Sequence, residues 1–142
     1  MTSRASDSLQ AFAADAERLL DDPHAIGTRL GALLAYDGWL APEHRVPSQE
    51  SYRQHLLHVS PCRRLSIVAL VWLPGQRTPI HDHVSWCVVG VYEGRERETR
   101  YRAIEVDGER LGSSIYRRFD DWPVVLSRPR AARTSAVSVA MS

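Results

Sequence analysis

Cysteine is scarce: Cys62 and Cys87 are the only two in 142 residues, too few for a disulfide scaffold. No apolar run is long enough to span a bilayer and no signal-peptide pattern opens the chain, so it reads as soluble and cytoplasmic, where thiols stay reduced. An excess of one charge is missing too. The 18 basic and 17 acidic residues leave a formal net charge of +1, which gives no reason to expect nucleic acid or an anionic membrane surface and points to small partners. Arg128, Arg130 and Arg133 cluster, but without an aromatic platform they read as a solvated segment. There are no internal repeats and no low-complexity tract, and the length suits one domain. Histidine is absent from every position after His83.

What is present divides into a helical third and a β-rich remainder. Leu9, Phe12, Ala13, Leu19 and Leu20 follow the spacing of one helical face over 8–20, with Asp21-Asp22-Pro23 as the stop. A second helical pattern runs from about Ala25 through Leu30, Leu33 and Leu34 to Tyr36, closed by Asp37-Gly38; Ala41 to Pro47 reads as a linker. From Tyr52 onward, short runs rich in β-branched and aromatic residues alternate with Pro-Gly, Glu-Gly and Asp-Gly punctuation. Strands are expected at 52–58, 65–73, 84–93, 96–105, 109–117, 122–127 and 135–140. Many short strands at regular spacing argue for a sandwich or barrel.

His81-Asp82-His83 is the chemical centre of the sequence. On an extended strand, side chains two apart share a face, so both imidazoles can meet one metal while Asp82 points away. Imidazole suits iron, copper, zinc and nickel alike. Standing alone, such a pair is more often two surface or hydrogen-bonded histidines than a metal site. The surroundings change the balance: Gly75 lies six positions before His81, Cys87 four after His83, and Gly94 seven after Cys87. Pro74-Gly75 should make a turn into the metal-bearing strand, and Gly94 should close a tight hairpin. This spacing resembles the first cupin motif, G-x5-H-x-H-x3-E-x6-G, with Cys87 where most cupins place a glutamate. The fold it implies is mainly β: a cupin barrel (double-stranded β-helix, or jelly roll) over about 50–142, preceded by two N-terminal helices over about 5–38, all in one domain.

The stretches Tyr52-Arg-Gln-His-Leu-Leu-His58, Ser66 through His83, and Val88-Val-Gly-Val-Tyr-Glu-Gly94 resemble the cysteine dioxygenase family of cupins, bacterial branch, over roughly residues 25 to 110. That family uses Fe(II) held by three histidines to add both atoms of O2 to a thiol, giving a sulfinate. By this likeness His81 and His83 are iron ligands. Gln54 takes the place of an arginine that pairs with the substrate carboxylate in cysteine-oxidising members; members with glutamine resemble 3-mercaptopropionate dioxygenases, because glutamine cannot copy a bidentate arginine. On the bare sequence Gln54 reads equally well as a polar residue alternating out of a strand. Cys87 falls near the cysteine of the family's Cys–Tyr cross-link, one residue closer to the second histidine, and reads equally well as a small buried residue. Trp72 and Trp86 read as packing residues, and His55 and His58 as strand-face or hydrogen-bonding ones. The Trp-Leu-Pro-Gly-Gln run and Cys87 count against other metal-dependent cupins, such as isomerases.

The likeness fails in the C-terminal part, where the family's third iron histidine should lie after about residue 125. The family's third iron histidine and its His-x-Tyr are missing, and Ser127 to Arg133 stands there with no carboxylate or thiol in substitution. Arg133 to Val139 still looks like a final barrel strand. A deletion or frame change in the coding sequence would produce this pattern. Asp120 or Asp121 is a further candidate for a carboxylate ligand, without a spacing argument to place either. The expectations are therefore a thiol dioxygenase or, in a different class, a paralogue that keeps the fold and binds a metal or small ligand without turnover.

Overall fold

Asp22 starts the second helix: its Oδ1 accepts a hydrogen bond from the Ala25 amide (3.0 Å), capping a helix whose first position is Pro23. The computed structural model describes residues 3–81, 85–104, 115–123 and 133–141. Within them α1 spans Ser3–Arg18, earlier at both ends than the periodicity suggests, with Leu19 and Leu20 in the following turn. Helix α2 spans Pro23–Leu34. The expected linker contains a short 3-10 turn, Pro42–Arg45.

Six strands follow: β1 Arg53–Val59, β2 Leu65–Trp72, β3 Cys87–Glu93, β4 Arg97–Ile104, β5 Ile115–Pro123 and β6 Thr134–Met141. The expected strands at 109–117 and 122–127 are replaced by the single strand β5, which pairs along its length with β4 and absorbs a register shift between Arg100 and Tyr101. Asp120-Asp121, a polar interruption on paper, pairs with Arg100 and Thr99 because β-pairing satisfies the backbone whatever the side chain, and Phe119 is the residue passed over at the shift. Residues 109–114 and 124–127 lie outside the described residues.

All pairings are antiparallel, in a four-stranded sheet of order β1-β2-β6-β3 and a ribbon of β4 and β5. The last strand thus inserts between the second and third. Among the described residues β1 and β3 are the edges of the larger sheet, and no ladder joins the two sheets into a closed barrel.

The two helices cover one face of the larger sheet. Alternate residues of β2 (Leu65, Ile67, Ala69) and β6 (Val137, Val139) meet Phe12, Ile26, Leu30 and Leu33 in one core. Gly90 of β3 allows the close approach of α2: a Cβ there would lie 2.3 Å from Leu34 Cδ1. A bulge at Leu57 turns its side chain onto the same core. The opposite face carries a smaller cluster of Trp72, Val91 and Ala136, with Tyr52 and Leu70 packed on it. Among the described residues no helix is long and apolar enough to cross a membrane.

Candidate metal site

His81 lies in the connection between β2 and β3, not on a strand. Strand β3 begins at Cys87 rather than at 84, and the period-two argument for paired imidazoles rests on residues 82 and 83, outside the described residues. His83, with Asp82, lies outside the described residues. The turn at the start of the connection is as expected: Gly75 has φ +85°, and the Gln76 amide donates to the Leu73 carbonyl at 3.1 Å. Gln76 then ties the connection down, its Oε1 accepting from the Leu73 amide and its Nε2 donating to the Ser48 carbonyl. Gly94 also has positive φ (+86°), and a Cβ there would lie 2.5 Å from the Arg133 carbonyl oxygen. It does not close a hairpin, however, because β3 and β4 belong to different sheets; it turns the chain from one sheet to the other.

The ring of His81 is exposed and oriented by its own turn. Nδ1 sits 2.7 Å from the Pro79 carbonyl oxygen. A carbonyl can only accept, so Nδ1 donates, which in the neutral ring leaves the lone pair on Nε2. Metal-binding histidines are characteristically held in this way, with the far nitrogen donating to a carbonyl or carboxylate. In that form His81 Nε2 is one nitrogen with the character of a metal donor.

Gln54, the second residue of β1, is exposed and donates from Nε2 to the Tyr52 hydroxyl at 3.2 Å; the Tyr52 ring stacks on Trp72. Cys87, the first residue of β3, is half-buried and shares a 3.1 Å hydrogen bond with the Ser138 hydroxyl. Burial pushes the Cys87 thiol up, and the negative charges of Glu96 and Glu98 add to this, against the hydrogen bond from Ser138. At neutral pH it is a protonated thiol.

Ladder pairing puts Gln54 and Cys87 on the same face, the one away from the helices, but at opposite corners. Gln54 pairs with Leu70, Leu70 with Ala136 and Ala136 with Val91, four residues along β3 from Cys87. At about 3.3 Å per residue and about 4.8 Å per strand, the two lie roughly 13 Å apart along the sheet and roughly 14 Å across it, less where the sheet coils. Tyr92, the tyrosine of β3, faces the other way, onto Asp37 and Trp39.

His58 and Trp86 have structural partners, whereas the buried Nε2 of His55 and Nε1 of Trp39 have no hydrogen-bond partner among the described residues. His58 Nε2 bonds Glu17 of α1 at 2.8 Å, Trp86 donates to the Leu20 carbonyl, and His55 lies beside His44 with ring centroids 5.7 Å apart. Asp120 and Asp121 stand in β5 opposite Arg100 and Thr99. Sequence reasoning missed Glu96. Its carboxyl is pushed up by burial and then by Glu98, and its Oε2 is buried without a hydrogen-bond partner among the described residues. Nothing in Arg95-Glu-Arg-Glu signals this, because alternating charge reads as a solvated strand edge. Among the described residues no three His, Cys, Asp or Glu side chains converge closely enough to hold a metal. No protein-family model matches this chain.

Proposed function

We propose that the protein is an Fe(II)-dependent thiol dioxygenase of cupin architecture, acting on a small thiol carboxylate. The observation that carries this reading is the His81 ring, fixed by Pro79 with Nε2 as its lone-pair nitrogen, inside the Gly75–Gly94 spacing. The sheet order adds support: a last strand inserted between the second and third, with a separate two-stranded ribbon, is compatible with the connectivity of a double-sheet jelly roll.

His81 and His83 would hold the iron through neutral imidazole nitrogens. Bound iron would supply the oxygen chemistry, adding both atoms of O2 to the thiol sulfur to give a sulfinate. Gln54, steadied by the Tyr52 hydroxyl, has an amide that can donate to one carboxylate oxygen, a weaker grip than the paired bonds of an arginine. That favours 3-mercaptopropionate over cysteine. Cys87, kept protonated by burial, is a neutral thiol on the face that would line the barrel and does not compete with the substrate for the metal.

The absence of histidine after His83 favours a second reading, a paralogue that keeps the fold and binds metal or ligand without turnover. O2 uptake separates the two. Protein loaded anaerobically with Fe(II) should consume O2 in the presence of 3-mercaptopropionate faster than with cysteine, and His81→Ala should abolish the thiol-dependent rate. Uptake no higher than in the variant would leave the second reading standing.

A further inference from the structure

Two histidines outside the proposed iron site stand together on the helix side of the larger sheet. We infer that His44 and His55 form a second metal site, which takes a zinc-like divalent ion and leaves its remaining positions to water or an outside ligand. The inference does not rest on the reading of His81 and His83.

Each ring is carried by an element that the fold holds in place. His55 lies in β1 and pairs with Ala69, which is buried in the helix-side core, so the two share that face of the sheet. His44 lies in the 3-10 turn Pro42–Arg45, where its amide donates to the Ala41 carbonyl at 3.0 Å. That turn is pinned on both flanks. Trp39 and Leu40 before it are buried in the core, and after His44 the Arg45 guanidinium lies over the Tyr92 ring at 5.6 Å, with Nη1 3.7 Å from Glu93 Oε2. Ligands carried on supported elements are what a metal site requires.

The two ring centroids are 5.7 Å apart, with planes inclined at 49°. With a metal–nitrogen bond of about 2.0–2.1 Å and a ring centre roughly 1.1 Å beyond the nitrogen, two imidazoles on one tetrahedral ion have centroids roughly 5.2 Å apart. The pair therefore needs to close by only about half an ångström. A second observation comes from His55 Nε2, which is buried and has no hydrogen-bond partner among the described residues. A ring nitrogen withdrawn from water and left unpaired is costly, and a metal bond offsets that cost. The other histidines are placed less well: His58 Nε2 is engaged by Glu17, and His24 is exposed. Among the described residues no third His, Cys, Asp or Glu joins the pair, so the ion keeps open positions, as catalytic rather than structural zinc does.

Calorimetric titration with Zn(II) in a His81→Ala background tests the site, because that background disables the other histidine pair. The His81→Ala protein should bind one Zn(II). Adding His44→Ala should weaken binding by roughly tenfold or more, since losing a ligand costs at least as much as losing a ligand's supporting partner. His44 is half-buried on a short turn, so this variant is expected to fold, which thermal unfolding checks. His55→Gln should weaken binding likewise, and if it unfolds early His44→Ala decides alone. His58→Ala, which removes a nitrogen already engaged by Glu17, should bind as its parent does. In the His81→Ala protein itself, Zn(II) should move the ring-proton NMR signals of His44 and His55 and leave those of His58 in place. A His81→Ala protein that binds no Zn(II), or a His44→Ala variant that binds it as tightly as its parent, overturns the His44–His55 site and leaves the reading of His81 and His83 untouched.

Discussion

The two faces of the larger sheet are built on different principles. On the helix side a large apolar core is covered, and it holds both partnered polar groups and, at Trp39 Nε1, Arg45 Nε and His55 Nε2, buried ones without a partner among the described residues. Tyr92 donates to Asp37 at 2.6 Å and accepts from the Gly38 amide, while Glu93 takes hydrogen bonds from Arg133 and Ser135. On the other side, Leu56 (63% exposed) and Val89 (42%) stand in water beside Gln54, and a protonated thiol lies at one corner. One face stabilises the fold. The other leaves apolar side chains in water, where they add little to stability.

The contrast is sharpest where the same chemistry is removed from each face. Ile67 is completely buried against the helices, so Ile67→Ala should destabilise by about 2–5 kcal/mol, the range for a large aliphatic side chain lost from a core. Leu56 is a neighbour on the other face, and Leu56→Ala should stay within about 0.5 kcal/mol, as for ordinary surface substitutions. Urea denaturation of the two variants and the wild type checks both. Equal losses would mean that the second face is as well covered as the first, and the division drawn here would fail.

How much of this could be read from the sequence follows the same division. The helix side was legible because periodicity reports burial: Phe12 and Ala13 at helical spacing, and Ile67 and Ala69 at strand spacing, all fall in the core. Asp22-Pro23 was legible as a break, though not as the cap that starts α2. β5 was misdivided because the ladder with β4 is a non-local fact, and two aspartates in a row look like a turn when the partner strand is unknown. On the other face the sequence named Gln54 and Cys87 but not their separation, which depends on the β1-β2-β6-β3 order and register. His81 was found by its neighbours in sequence, whereas the carbonyl of Pro79 that orients it belongs to a turn, not to the expected strand. Glu96 was invisible because burial of a charged residue leaves no local pattern.

Glu96 sharpens the contrast from outside the larger sheet, in the connection between β3 and β4. Its carboxyl is raised in the folded protein, chiefly by burial, so on the way up from acid the unfolded chain releases this proton first. The folded state then holds more protons than the unfolded one. Metal-free stability should therefore fall as pH rises from the ordinary carboxylate range through the raised value, and level off once both states are ionised. Glu96→Gln removes this loss. Measured without metal, the variant should be more stable than the wild type at pH 7, and the two should converge at pH 3, where both side chains are neutral. A variant less stable at pH 7 would mean that the carboxylate has a favourable partner in the folded protein.

The smallest effect expected concerns the two thiols, and it changes reactivity rather than stability. Cys62 sits exposed in the turn after β1, and its thiol is lowered by the hydrogen bond with Ser60 and by the Arg64 amide. Cys87 is raised by burial and by the charges of Glu96 and Glu98. Since the thiolate is the nucleophile, iodoacetamide at pH 8 should alkylate Cys62 first and leave Cys87 largely unmodified, as peptide mass spectrometry over a time course would show. Glu96→Gln should then speed Cys87 modestly, because one of the charges that opposes its ionisation is gone. If the Cys87 rate is unchanged while Cys62 behaves as expected, burial alone governs the thiol.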